Sequence, residues 1–373
     1  MINLHMNMND YSTRLEISRS ACIGNFRHFR GQLRPETKML VLVKANAYGH
    51  GAVQFAGLME DAGADCLAVA CAAEGAELRK GGIRLPIIVL PDGRDGFEDM
   101  IEYGLEPGIP DLEMLKAFCA VLKEKGIEGY PVHIKLDTGM HRLGFCPDEV
   151  DGLGDFLTSC GQIKVKSVYS HLCAAEDPGQ DAFTESQARL FIENYEKISG
   201  RTGYRPLRHL LNSAGIERFP QYQFDMVRLG IGVYGISAVP GTQLRPAASF
   251  KCRILQIKTL HAGETIGYGR MGKAPHDGVR TATISAGYAD GIDRRLGNGN
   301  ASFMLNGHKV PTIGNICMDT CMIDVTGTDA ASGDTVTVFG EDPHVSELAD
   351  RLGTIPYEIM VSVPSRVKRI VTE

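Results

Sequence analysis

The chain has 373 residues, 43% of them hydrophobic, and a formal net charge of -6. That length and apolar content can supply cores for two domains, and the acidic balance, with no basic stripe, excludes the electrostatic footprint of a nucleic-acid binder. No apolar run reaches membrane-spanning length, and the opening "MINLHMNMND" lacks a charged start followed by an apolar core, so a cytoplasmic protein is expected.

From residue 39 to about 240, short apolar runs alternate with amphipathic stretches. The runs are "MLVLV", "CLAVA", "PIIVLP", "LEPGI", "PVHIKLD", "VKSVYSHL", "HLLNS" and "DMVRLGIGVYG". Eight strands with intervening helices predict an α/β fold, a parallel (β/α)8 barrel of the TIM type, over residues 12–240. A doubly wound open sheet fits part of the pattern, and the count of eight favours the barrel. Between the runs, "DLEMLKAFCAVLKEKG" keeps Leu112, Leu115, Phe118, Cys119 and Leu122 on a helical period and ends in lysines and a glycine.

After "AVPGTQLRPAAS" the texture changes. "SFKCRILQIKTL", "RTATISAGYADG", "ASFMLNGHKVPTIGN", "CMIDV" and "DTVTVFG" read as strands separated by Gly, Asp and Asn turns, a mainly antiparallel β domain over residues 241–373. The N-terminal strand within residues 1–17 is a candidate to join it. A helix, "HVSELADRLG", and the tail "TIPYEIMVSVPSRVKRIV" close the chain. The ten cysteines are scattered through strands and helices, and period-two patterning puts Cys317 and Cys321 on one face of a strand. They read as small core hydrophobes in a reducing compartment, and no metal site is expected.

In a parallel barrel the chemistry gathers at the C-terminal ends of the strands. The first run, in "VLVKANAYGHG", ends on Lys44. Two readings stand: Lys44 snorkels to solvent, or it is an amine in a dry pocket, where desolvation lowers its pKa and makes it a nucleophile or base. Other strand ends carry Tyr48, then Lys135, Asp137 and Arg142 in "KLDTGMHRLG", His171 in "SHL", Asn212 and Ser213 in "LNSAG", and Arg228, Gly230 and Ile231 in "MVRLGIG". Together they describe a pocket for an anion and a reactive carbonyl. Singly each is weak: Ser213 also fits a helix cap, and His171 a satisfied core histidine. "GYGRMG", residues 267 to 272, matches a dinucleotide fingerprint, but it follows antiparallel-type sequence and cannot open a helix cleanly.

"VLVKANAYGHG", "KLDTGMHRLG", "SHL", "LNSAG", "MVRLGIGVYG", "GYADG", "GNICMD" and "YEI" stand in the order found in the alanine racemases. The resemblance runs from about residue 12 to 370. It implies a homodimer with active sites shared between subunits, pyridoxal 5'-phosphate as cofactor, and interconversion of L- and D-alanine, supplying D-alanine for peptidoglycan. By the same resemblance Lys44 carries the cofactor and acts as one base, and Tyr268 is the second. Tyr48, Ser213, Gly230, Ile231 and Tyr357, with Asn212 beside them, match the phosphate-binding positions. Arg228 matches the partner of the ring nitrogen, oriented by His171. Arg142 matches the contact to the ring oxygen and the substrate carboxylate, with the Met318 backbone assisting. Lys135 matches a position carbamylated in many members.

Three departures touch packing and access: no tryptophan lies near "STRLEIS", Asn315 stands where many members carry arginine, and Met360 where cysteine is common. The competing readings are a serine or broad-specificity racemase, a barrel decarboxylase, and a non-catalytic pyridoxal-phosphate-binding protein. "GYADG" and "GNICMD" favour a racemase over a decarboxylase, and the β domain argues against a carrier built of the barrel alone.

Overall fold

The computed structural model describes residues 11–237 and 239–373. They fall into two compact units. One comprises Ile23–Ala47 and Ala52–Leu244; the other comprises the described residues up to Cys22, Tyr48–Gly51 and Arg245–Glu373. Of the N-terminal strand expected within residues 1–17, residues 1–10 lie outside the described residues. The remainder supplies β1 (Thr13–Ser18) of the second unit.

The first unit is a closed barrel of β2 (Lys38–Leu42), β3 (Cys66–Val69), β4 (Ile87–Val89), β5 (Glu106–Ile109), β6 (Tyr130–Lys135), β7 (Ile163–Tyr169), β8 (Leu207–His209) and β9 (Met226–Leu229). Each of the eight apolar runs contributes one strand. Neighbours pair in parallel, and β9 returns to β2 with Lys38 opposite Met226. The first three runs lack polar alternation because both faces are covered: Met39, Val41 and Val69 are wholly buried.

The helices follow the expected period. Leu112–Glu124 starts where the Asp111 carboxylate accepts the Met114 N–H at 2.7 Å, a cap that contributes about 1 kcal/mol. It buries Leu115, Phe118, Cys119 and Leu122 and gives way to Gly126 at φ 67°.

The second unit adds β10 (Ala248–Leu260), β11 (Thr265–Ile266), β12 (Gly272–Lys273), β13 (Val279–Ile284), β14 (Ser302–Leu305), β15 (His308–Pro311), β16 (Cys321–Asp324), β17 (Thr335–Phe339) and β18 (Lys368–Thr372). The main sheet runs β15-β14-β17-β10-β1-β18, with β13 branching from β10 and β16 pairing with β13. Strand β10 serves both groups because its register shifts between Ile254 and Gln256. The sheet is mainly antiparallel, β1 and β18 being a parallel pair. The β14–β15 turn uses Asn306 and Gly307 at φ 47° and 82°, as a two-residue hairpin turn with the sheet's twist requires.

One strand reading is corrected. Cys317 lies outside β16, because its N–H donates to Thr320 O at 2.9 Å and folds a turn first, so the alternation begins only at Cys321. "GYGRMG" follows β11, makes a single turn at Tyr268–Arg270 and enters β12 at Gly272, with no helix to receive a dinucleotide. No helix among the described residues is long and apolar enough to cross a membrane.

Candidate active site

Strand β2 runs into Lys44, and the chain then makes a left-handed turn. Ala45, Asn46, Ala47 and Tyr48 have φ of 52°, 54°, 52° and 50°. For residues with a Cβ this conformation costs roughly 1–2 kcal/mol each, so the surroundings must impose it. Glu74 does so from the barrel: one carboxylate oxygen accepts Ala45 N–H at 2.6 Å and the other Ala70 N–H at 2.8 Å. Ala47 N–H donates to Val43 O at 2.9 Å, and Asn46 Oδ1 accepts Ala52 N–H at 2.7 Å. The turn ends the strand and leaves Lys44 half-buried. Burial pushes its amine below the ordinary value, the Arg142 charge adds to this, and Glu74 opposes it. Among the described residues the amine has no hydrogen-bond or ion-pair partner.

Lys135 ends β6 and is 5% exposed, again with no hydrogen-bond or ion-pair partner among the described residues. Burial, then the charges of Arg228 and Arg142, lower its amine to about 8 against the opposing Asp137. Asp137 organises the loop that carries Arg142 by accepting N–H from Gly139 at 2.9 Å and His141 at 3.1 Å. Gly144 closes that loop at φ 125°, where a Cβ would stand 2.7 Å from Asp137 N. Arg142 is exposed.

Arg228, on β9, is 5% exposed and almost fully engaged. Nη1 donates to His209 Nδ1 and His209 O, both at 3.0 Å. Nη2 donates to Ser170 O at 2.6 Å and Leu210 O at 2.9 Å, and lies 3.3 Å from His171 Nδ1. Its Nε–H donates to none of the described residues. Burial, then the charges of Arg228, Arg142, Lys135 and Lys44, push His171 down to about 3, so its imidazole is neutral and can accept. Tyr169 joins the group: its ring lies 5.5 Å from Arg228 Cζ and 5.9 Å from Lys135 Nζ, and it stacks on His209 at 4.8 Å.

Asn212, not Ser213, caps the helix Ser213–Arg218, accepting Gly215 N–H at 2.9 Å while donating to Leu172 O at 3.1 Å. Ser213 Oγ instead accepts N–H from Gly230 at 3.0 Å and Gly232 at 3.2 Å, tying the end of β8 to the end of β9 beside the buried Ile231. Gly232 admits no side chain, since a Cβ would stand 2.4 Å from the Phe29 ring.

The barrel thus gathers Lys44, Lys135, Arg142, His171 and Arg228 into one electrostatic group, with Asn212, Ser213, Gly230 and Ile231 at neighbouring strand ends. The sheet unit holds the other expected residues. Tyr48 and Tyr357 meet there with ring centroids 5.6 Å apart, and burial pushes the Tyr48 hydroxyl up. Tyr268 is 72% exposed between Gly267 and Gly269, at φ 74° and 68°. A Cβ on Gly267 would stand 2.8 Å from Met322 Cε, so the glycines of "GYGRMG" serve this turn. Asn315 Nδ2 donates to Tyr268 O at 2.9 Å and steadies it. Met318 is exposed, its carbonyl accepting Ala289 N–H at 2.9 Å.

Sequence reasoning passed over Glu74, Tyr169 and His209. The signal for the last two was present: both lie in quoted strand runs, where a ring with a polar atom interrupts an otherwise apolar period.

Sequence models of the alanine racemase N-terminal and C-terminal domains match residues 17–238 and 247–371. The chain belongs to the alanine racemase family. It is 35% identical over 367 residues to the alanine racemase of Synechocystis sp., covering 95% of this chain and 98% of that protein. The solved alanine racemase of Clostridium difficile 630 superimposes with a TM-score of 0.90 at 33% identity, covering 97% of this chain and 96% of that one. That of Bartonella henselae, with covalently bound pyridoxal phosphate, gives 0.87 at 28% identity, covering 97% and 100%. The family depends on pyridoxal phosphate. The donor set here fits such a group: a lysine amine of lowered basicity for its aldehyde and a buried guanidinium Nε–H for its ring nitrogen, neither with a hydrogen-bond partner among the described residues.

Proposed function

We propose that this chain interconverts L-alanine and D-alanine with pyridoxal phosphate, and that Lys44 and Tyr268 are its two bases. The observation that carries the proposal is the Lys44 amine, half-buried at a barrel strand end, without a hydrogen-bond or ion-pair partner among the described residues and among the charges of Lys135, Arg142 and Arg228. When bound, the cofactor supplies an electron sink that stabilises negative charge on the substrate Cα.

Lys44 would hold the cofactor, and its amine would take or return the Cα proton on one face. Racemisation needs a second group on the opposite face, and Tyr268, supplied by the other subunit of a homodimer, takes that part. Tyr268, Met271, Met318 and Ile355 are apolar side chains of the sheet unit left exposed, at 72%, 63%, 53% and 59%, and burial of such side chains by a second copy would favour the homodimer. Arg228 offers the ring nitrogen an N–H and cannot accept a proton from it, which favours proton return to Cα over transamination. His171 orients Arg228. Tyr48, Ser213, Gly230, Ile231 and Tyr357 hold the phosphate, with Asn212 fixing the turn beside them. Arg142 and the Met318 backbone hold the substrate carboxylate. The site is built on the strand ends of the barrel, in a cytoplasmic enzyme supplying D-alanine for peptidoglycan.

The test is interconversion of D- and L-alanine by the purified chain, measured beside serine. A chain that racemises serine faster than alanine, or neither, overturns the proposal. Tyr357→Asn is expected to raise the serine-to-alanine ratio of kcat/KM by roughly tenfold, since Tyr357 packs against Tyr48 and a smaller side chain leaves room for a hydroxymethyl group. An unaltered ratio removes Tyr357 from the specificity residues.

We also propose that Lys135 is carbamylated. A buried amine with no hydrogen-bond or ion-pair partner among the described residues, titrating near 8 among arginines, is partly neutral at neutral pH and can add carbon dioxide with loss of a proton to solvent; the carbamate then offsets the surrounding positive charge. With 13C-bicarbonate, a carbamate resonance is expected in the wild-type protein and not in Lys135→Arg. Because the amine protonates below about 8, its rate of labelling should fall as pH drops through that value. A wild-type spectrum without the resonance refutes the modification.

A further inference from the structure

Five consecutive barrel strands each place one polar side chain on a single line of hydrogen bonds. Glu106 opens β5, His133 lies on β6, Ser167 on β7, His209 ends β8 and Arg228 lies on β9. Arg228 Nη1 meets His209 Nδ1 at 3.0 Å, and His209 Nε2 meets Ser167 Oγ at 2.7 Å. Ser167 Oγ then meets His133 Nδ1 at 2.6 Å, and His133 Nε2 meets Glu106 Oε2 at 2.8 Å. His133, Ser167 and His209 are at most 1% exposed, so each depends on its neighbours for hydrogen bonds.

The two ends determine the direction. A guanidinium only donates and a carboxylate only accepts, whereas a neutral imidazole or a hydroxyl does one of each. His209 Nδ1 must therefore accept from Arg228, which leaves its Nε2–H to donate to Ser167. The hydroxyl donates a hydrogen bond to His133 Nδ1, and His133 Nε2–H donates to Glu106. No other arrangement satisfies all five groups. Burial keeps both imidazoles neutral, as the line requires. Lys166 Nζ occupies the second oxygen of Glu106 at 2.6 Å.

We propose that this line is a positioning relay: Glu106, through His133, Ser167 and His209, fixes the hydrogen-bond direction at Arg228 and holds the guanidinium in the orientation that leaves its Nε–H free. The link to catalysis rests on the role given to Arg228 above; the direction of the relay does not. None of the four residues has a direct role in the chemistry proposed above, and none was singled out by the sequence.

The test is long-range 1H–15N NMR on the full-length holoenzyme labelled at histidine. In the wild type, His133 and His209 are each expected to carry the proton on Nε2 and a lone pair on Nδ1. In Glu106→Gln, Lys166 still demands the amide oxygen, so the amide NH2 faces His133 and its ring is expected to reverse to the Nδ1–H form. Racemisation kcat should fall about tenfold with KM little changed, the scale on which loss of an outer hydrogen-bond partner weakens a functional group. Ser167→Ala should lower kcat similarly while His133 keeps its wild-type tautomer. A proton on Nδ1 of either ring in the wild type, an unreversed His133 in Glu106→Gln, or wild-type kcat in both variants overturns the relay. A wild-type chain that racemises no alanine overturns the functional reading instead, and the tautomers still decide the direction.

Discussion

Lys44→Ala is expected to give a folded protein that retains no covalently bound cofactor and racemises alanine slower by roughly a thousandfold or more, as happens when a covalent nucleophile is removed. The fold should survive. The Lys44 amine has no hydrogen-bond or ion-pair partner among the described residues, and its burial disfavours its own charge. The strained turn after it is held by Glu74, Asn46 and Val43, none of which the substitution removes. The thermal midpoint should therefore stay near that of the wild type. Borohydride reduction followed by peptide mapping checks the attachment: label fixed in the wild-type "VLVKANAYGHG" peptide, and none at that position in the variant. A variant that still holds a reducible cofactor at full occupancy would exclude Lys44 as its anchor.

The second large effect concerns the origin of Tyr268. If each site of a homodimer combines Lys44 of one copy with Tyr268 of the other, Lys44→Ala and Tyr268→Phe homodimers are both nearly inactive, yet their heterodimer has one doubly defective site and one intact site. Random reassortment of equal amounts yields about half heterodimers, so about a quarter of wild-type activity should return. Were Tyr268 to act within its own chain, every site would keep one defect and nothing would return. Tyr268→Phe is suited to the experiment because the phenol is 72% exposed and its turn is held by Gly267, Gly269 and the Asn315 contact to its backbone. Co-expression, with heterodimers verified by mass spectrometry, decides the matter: verified heterodimers without recovered activity would rule out shared sites.

The sequence alone determined the barrel and which residues lie at its strand ends, for local physical reasons. Strands covered on both faces read as short, mainly apolar runs, so eight such runs marked eight strands, and the polar residues ending several of them marked the rim. Lys44, Lys135, His171, Ser213 and Arg228 were legible because chain position and strand direction suffice to place them. The hairpin at Asn306 and Gly307 and the cap at Asp111 were legible for the same reason, each being settled within a few residues.

What the tertiary structure decided depends on residues far apart in the chain. The left-handed turn after Lys44 has no glycine to announce it and exists because Glu74, on another βα unit, receives the Ala45 N–H. Ser213 gave up the role of cap because two glycine amides from the next strand end reach its hydroxyl. The line from Arg228 to Glu106 needs five strands side by side in a closed barrel, and no periodicity within one strand can reveal it. Local sequence sets where a strand runs and which way a side chain faces; a hydrogen bond also requires a partner at about 3 Å, and only closure of the fold brings that partner there.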